Sequence, residues 1–168
     1  ELGPIPVDAA TYARSESALV SSERMERALS YFADRLRGAP GPPELPTDRP
    51  RPAHRRGVGD LLVRTMPREL VRRLDAFCLE RGATRYMVML AAYAVLLSRL
   101  SRERDLTIGT PVSGRLLPEV ERTVGSFVNM VALRMDVPLE AGFAGFVAEV
   151  RALALDAFEH RMAPFERV

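Results

Sequence analysis

The sequence predicts an α/β fold, an α+β sandwich in which helices pack on an incomplete mixed sheet. Three observations predict it. Short apolar, β-prone segments are interleaved with long amphipathic helical patterns. Two of those segments, TIGTPVSGR from Thr107 and GSFVNMVALR from Gly125, carry glycine as sheet-core strands do. Only three strands are expected in all. That is few for a self-sufficient sheet, so its edges call for chain that this sequence does not contain.

The elements follow in order. Glu1 to Ser17 holds Pro4 and Pro6, does not begin with Met, and reads as a cut edge. Ser21 or Ser22 can cap a helix, with Glu23 in its first turn. Met25, Leu29, Phe32 and Leu36 recur at helical spacing, and Gly38 ends that helix. Ala39 to Arg56 contains six prolines. It is expected to be extended, because proline blocks helix and disfavours αR before it. Val58 to Met66 reads as a strand, and Pro67 sits in the first turn of the next helix. In that helix Leu70, Leu74, Phe77 and Cys78 face one way, while Arg68, Arg72, Arg73 and Glu80 face water. Gly82 ends it and Thr84 caps its successor. Arg85 to Leu100 is apolar nearly all round, which predicts a buried central helix too short to span a membrane. Leu106–Val112 and Phe127–Val137 are expected strands, with a short turn or helix at Glu119–Thr123 between them. Phe143 to Arg161 is an amphipathic helix with Phe146, Val150, Leu153 and Phe158 inward.

Composition bounds the function. With 168 residues the chain can bury one sizeable core, and 47% hydrophobic with 27% charged residues is ordinary for a soluble globular protein. Its 24 basic residues are all arginine, and the net charge is only +2, so the arginines reflect a GC-rich coding bias rather than a nucleic-acid surface. No apolar run reaches membrane-span length and no signal-peptide pattern occurs, so a cytoplasmic protein with no membrane partner is expected. The single cysteine, Cys78, cannot form an internal disulfide and reads as a buried, inert thiol. Two distant histidines and one cysteine offer no metal-ligand spacing. Neither GxxxxGK[ST], GxGxxG nor GxSxG is present.

Several residues stand out. Asn129 is an amide inside an apolar strand, and a buried amide must satisfy both ends. Gly125 suits a turn or bulge. Arg115 follows Ser113-Gly114 and can be paired with an acidic group, or be a solvated or structural arginine. His160 lies near a helix C-terminus, where a cation is favoured by the helix dipole. His54, among Arg49, Arg51, Arg55 and Arg56, reads as a solvated linker residue.

Three strings together carry a resemblance: Asp105-Leu-Thr-Ile-Gly-Thr-Pro-Val-Ser-Gly-Arg115, Val124-Gly-Ser-Phe-Val-Asn129 and His160-Arg-Met-Ala-Pro-Phe-Glu166. With LPTDRPRP at Leu45–Pro52 and GATRYMVMLAAYAVLLSRL at Gly82–Leu100, they resemble the C-terminal lobe of a nonribosomal peptide synthetase condensation domain, over roughly Pro4 to Val168. The resemblance implies a chloramphenicol-acetyltransferase-like lobe. It assigns residues 1–38 to the end of the N-lobe and a connecting helix, 39–57 to the inter-lobe crossover, and 58–168 to a truncated C-lobe. It also implies amide formation between a donor acyl or peptidyl thioester and an acceptor aminoacyl thioester.

The family's catalytic HHxxxDG motif is absent from this sequence, so no catalytic residue is expected within it and the chain alone is expected to be inert. The resemblance places Gly125, Ser126, Phe127, Asn129 and Arg115 on the substrate tunnel. His160, Pro164, Phe165 and Glu166 fall in a structural string matching HQDxPFE, with Arg161 for Gln and Met162 for Asp. Of the family's YxDYAxW string only Tyr12 and Ala13 survive. No cofactor is expected on the chain itself; phosphopantetheine would arrive on donor and acceptor peptidyl carrier proteins. The N-lobe of the same domain and an adjacent adenylation domain are the other implied partners. The alternatives are a degenerate, protein-recruiting condensation-like domain, or a related epimerisation or acyltransferase domain.

Overall fold

The computed structural model describes residues 7–19, 22–50, 52, 54, 57–115, 118–138, 140 and 142–168. Among them the order is helix α1 (Ala9–Leu19), α2 (Glu23–Leu36), α3 (Arg68–Glu80), α4 (Arg85–Ser101), strand β1 (Asp105–Ser113), a 3₁₀ turn at Pro118–Val120, β2 (Val128–Asp136), α5 (Phe143–Glu159) and a 3₁₀ turn at Phe165–Arg167. The predicted α/β class holds. The chain divides into two compact units. One is Glu1–Pro40, Thr107–Met135 and Ala152–Val168; the other is Gly41–Leu106 and Asp136–Arg151.

In the first unit, α2 begins where a cap was expected. Ser22 is the cap: its hydroxyl accepts from the Met25 N–H at 3.2 Å. Met25, Ala28 and Phe32 form the buried face of α2. Its C-terminus is closed by Arg134, whose guanidinium donates to the carbonyls of Arg35, Arg37 and Gly38 at 3.2, 2.7 and 3.2 Å. A cation there meets both the orphan carbonyls and the negative end of the helix dipole. On β2, Val131, Ala132 and Leu133 are buried in succession, so this stretch is covered on both faces. The Gly114 N–H donates to the Phe127 carbonyl and closes the hairpin end. N–H directions alternate along a strand, so Pro111, three residues back, lacks a donor only on the edge away from β2. Gly114 itself is required: a Cβ there would lie 2.9 Å from the Phe127 carbonyl oxygen.

In the second unit, α3 ends in a Schellman turn. Gly82 takes φ +58, Ala83 N–H reaches the Cys78 carbonyl at 2.9 Å, and Gly82 N–H reaches Leu79. Arg151 of α5 donates to the Gly82 carbonyl at 2.8 Å. Thr84 caps α4 as expected, accepting from the Met87 N–H at 3.2 Å. A bidentate pair, Arg85 to Asp75 at 2.5 and 2.7 Å, ties the start of α4 to α3. Cys78 is buried, and so are Val88, Ala91, Leu106, Phe146, Val147 and Val150.

Four sequence expectations are corrected. Val58–Met66 is not a strand: residues 57–67 are coil, with Val58, Leu61, Leu62 and Val63 all exposed. A strand exists only by pairing, and none of the described chain pairs with it. The sheet among the described residues is therefore two strands, β1 beside β2, and antiparallel. Helix α1 was not foreseen; Asp8 starts it, accepting from the Thr11 N–H at 2.7 Å. Helix α4 is not buried all round, since Met89, Tyr93, Leu96 and Leu100 are exposed, as is Leu70 on α3. Finally α5 stops at Glu159 rather than Arg161, where the chain turns into the 160–163 bend.

Two outcomes are expected. Arg134→Ala removes three charge-assisted bonds from the end of α2 and should cost about 1–2 kcal/mol in urea unfolding, with Arg134→Lys recovering part of it; an unchanged midpoint would show that the guanidinium is idle. The second concerns acid. The hydrogen bond from Arg85 holds the Asp75 carboxyl below its ordinary 3.8. A lowered folded value means the pair adds stability above the ordinary value and loses it as pH falls through the folded one. Asp75→Asn should therefore be less stable than the parent near neutral pH, and the gap should close as pH falls below the ordinary carboxylate value. A gap independent of pH would remove the ion pair as its source.

Candidate functional site

A cleft of about 400 Å³ lies within the first unit, walled by α1, by the loop leading into β2, and by the bend after α5. Its lining includes Tyr12, Gly114, Phe127, Asn129, Met162 and Glu166. Of the residues singled out from the sequence, Gly125, Ser126, Phe127 and Asn129 all reach this cleft, as do Pro164 and Glu166.

Asn129 holds the cleft together. Its Nδ2 donates to the carbonyls of Arg161 at 2.8 Å and Ala163 at 2.7 Å, and its Oδ1 accepts from the Phe165 N–H at 3.4 Å. Two acceptors on one side and a donor on the other fix which end of the amide is which. The side chain thus staples β2 to the His160–Glu166 string. Its partners are backbone groups, the structural role weighed for a buried amide. Pro164 and Phe165 follow as the entry to the terminal 3₁₀ turn.

Phe127 is held from two sides. Tyr12, 8% exposed, meets it edge-on at 5.0 Å and donates its hydroxyl to the Gly114 carbonyl at 2.6 Å. The Arg115 guanidinium lies over the same ring, 4.0 Å from its centroid, and also donates to the Val120 carbonyl. Arg115 is thereby engaged inside this unit, beside the cleft rather than on its lining. Thr123, which is buried, donates to the Val7 carbonyl and anchors the loop between the strands.

His160 is placed apart from this lining. Its ring stacks on Tyr31, with centroids 4.1 Å apart and planes 5° from parallel, and its Nδ1 lies 2.8 Å from the Asp156 carbonyl. Those contacts suit a residue that shapes the end of α5. Among the described residues no group of three His, Cys, Asp or Glu side chains is placed to hold a metal ion, and no helix is long and apolar enough to cross a membrane. Sequence reasoning missed the parts played by Tyr12 and Gly114 here. Tyr12 was visible only as a remnant of a string, and Gly114 only as a turn residue.

The expected behaviour of Asn129 follows. Asn129→Ala strands two carbonyls and an N–H and should cost about 2–3 kcal/mol in urea unfolding. Asn129→Asp should cost more, because a carboxylate would face two carbonyl oxygens. If Asp were accepted as well as Asn, the staple would be unimportant and the amide would be free for other work.

Comparison with known proteins fits this geometry. The sequence profile of the Condensation domain family matches residues 3–168. Phosphinothricin tripeptide synthetase PhsC of Streptomyces viridochromogenes is 37% identical over 167 residues, 99% of this chain and 15% of that protein. The crystal structure of SgcC5 from Streptomyces globisporus superposes with a TM-score of 0.83 at 33% identity, over 99% of this chain and 37% of that one. The X-domain from teicoplanin biosynthesis, in its complex with OxyB, does so with a TM-score of 0.88 at 27% identity, over 99% and 38%. The chain thus spans well under half of each of these proteins. With its Gly-punctuated hairpin, its PFE bend and the amide that joins them, the chain belongs to the condensation domain family.

Proposed function

We propose that this chain forms one wall of the reaction tunnel of a condensation domain that makes amide bonds in nonribosomal peptide synthesis. Residues 1–38 would end the N-lobe, 39–57 would cross between lobes, and 58–168 would belong to the C-lobe. The observation that carries the reading is the cleft in which Gly125, Ser126, Phe127 and Asn129 meet the His160–Glu166 string around one amide.

In that reaction the acceptor's α-amine attacks the carbonyl of the donor thioester. The C–N bond forms, the C–S bond breaks, the donor carrier's thiol leaves, and the amine's proton ends on that sulfur. Both substrates would ride on phosphopantetheine arms of carrier proteins, with an adenylation domain nearby to load the acceptor. The second His of an HHxxxDG motif would position the amine or take its proton, and no such motif occurs in this sequence. The residues here contribute positioning. Arg115 and Tyr12 fix Phe127, and Asn129 fixes the bend opposite, so the arms meet a wall that does not shift. Holding two reactants in line removes the entropy of a bimolecular encounter, worth up to about 7–11 kcal/mol.

A second reading is a recruiting module that binds a partner protein. It is favoured by the likeness to the X-domain of the OxyB complex and by the loss of the aromatic, Asp and Trp expected around Tyr12. The experiment is a condensation assay with both loaded carrier proteins. The purified 168-residue chain should give no amide product above background, while the whole domain bearing HHxxxDG should give it. Product from the chain alone would overturn the wall assignment; none from a folded, intact whole domain would favour the recruiting module.

A further inference from the structure

Two rings outside the cleft bear on its wall. His160 opens the bend that follows α5, and its ring stacks on Tyr31 of α2, with centroids 4.1 Å apart and planes 5° from parallel. Neither residue lines the cleft. The Nδ1 of His160 lies 2.8 Å from the Asp156 carbonyl, one helical turn back. A carbonyl only accepts, so Nδ1 carries the hydrogen and donates it. The imidazole is thus fixed in its plane by α5 and on its face by α2. Its backbone is engaged as well: the His160 carbonyl accepts from the Ala163 N–H at 3.1 Å. The carbonyls of Arg161 and Ala163, in that same turn, are the two that Asn129 meets.

Tyr31 is itself held. Phe32 meets it edge-on at 5.0 Å, and the Arg35 guanidinium, one turn further along α2, lies 6.0 Å from its centroid. The Tyr31 hydroxyl is buried and has no hydrogen-bond partner among the described residues. A buried hydroxyl left unpaired adds no stability, so the face of the ring is what the contact uses. The same helix is bound to β2, because Arg134 donates to the Arg35, Arg37 and Gly38 carbonyls at its end. Three joints therefore close a circuit. Arg134 joins α2 to β2, Asn129 joins β2 to the bend, and the His160–Tyr31 stack joins the bend back to α2. Joints that share a circuit are coupled rather than additive.

We infer that Tyr31 is a positioning residue of the cleft. Its ring sets His160, His160 sets the bend, and the bend presents to Asn129 the carbonyls that hold the wall in place. Helix α2 thereby governs the wall from a residue that does not line it. The inference deepens the amide-synthesis reading and rests on it for the effect on turnover; the coupling itself is geometric. A group that aligns reactants acts on rate more than on binding, and a misplacement of about 1 Å can cost about 100-fold.

The test uses the whole condensation domain and two variants. Tyr31→Phe keeps the stack and should match the parent in every readout. Tyr31→Leu keeps an apolar side chain and loses the stack. In Tyr31→Leu the Phe165 amide hydrogen, which is donated to Asn129 Oδ1, should exchange about 10-fold faster, while Ala154 and Ala157 within α5 keep their parent rates. Asn129→Ala should speed the same amide, and the double variant should add little to either single one. In the condensation assay Tyr31→Leu should lower kcat about 10- to 100-fold, with KM held within about threefold. Parent-like exchange at Phe165 overturns the inference, and so do additive effects in the double variant. Equal losses in Tyr31→Phe and Tyr31→Leu overturn it too, since the hydroxyl would then be the working group. An unchanged kcat in Tyr31→Leu, against an active parent, removes the positioning role. If Tyr31→Leu does not fold, His160→Leu breaks the stack from the other side and takes its place in the same measurements. If the parent domain makes no amide, the amide-synthesis reading has failed and the exchange results decide the coupling alone.

Discussion

The arrangement of the first unit depends on satisfying one amide. Asn129 sits half-buried at the start of β2, just before its buried apolar run, where an unpaired polar group is costly. It is accommodated because the chain 32 to 36 residues later turns two carbonyls and an N–H toward it. That bend places Met162 and Glu166 on the cleft wall, opposite the loop that carries Gly125 to Phe127. The polar requirement of a single side chain therefore sets where the cleft closes. Because its partners are main-chain groups, the bend can vary in sequence, as Arg161 and Met162 do against the family string, without losing the staple.

Strand β2 acts in two directions. Asn129 and Arg134 are five positions apart, an odd step, so they project from opposite faces of the strand. One reaches the bend after α5 and the other the end of α2. Between them Val131, Ala132 and Leu133 are buried on both sides. Polar staples at the two ends of an apolar run fix the register of the strand more firmly than burial alone, since a slip of one residue would exchange both faces at once.

The features legible in the sequence were the local ones. The caps at Ser22 and Thr84, the stop at Gly82, the buried Cys78 and the β1 and β2 spans follow from short-range chemistry that each residue carries wherever it goes. Asn129 was singled out for its place in the pattern. Its partners were not readable, because backbone carbonyls leave no trace in a side-chain pattern. Helix α1 escaped because its apolar positions are sparse and its start depends on Asp8 alone. Arg115 leaves acidic pairing, solvation and a structural role open in the sequence, and the Phe127 ring and the Val120 carbonyl settle it as structural.

The remaining departures, at Val58–Met66 and on α4, have a common physical form. In both, sequence patterning asks for burial that the described chain does not supply. Propensity and periodicity describe the environment a segment was selected for, which is that of the complete fold. Residues that the pattern assigns to the interior and the structure leaves exposed are those whose expected neighbours do not lie among the described residues. The first unit shows the converse: Asn129, Arg134 and Arg115 find their partners close at hand. Exposed apolar residues fall in both units, Val124, Val128 and Phe165 in the first and Leu61, Leu62 and Val63 in the second. A segment selected for burial keeps its apolar pattern whether or not its neighbours are at hand, so pattern and exposure can disagree where the local polar contacts are all formed.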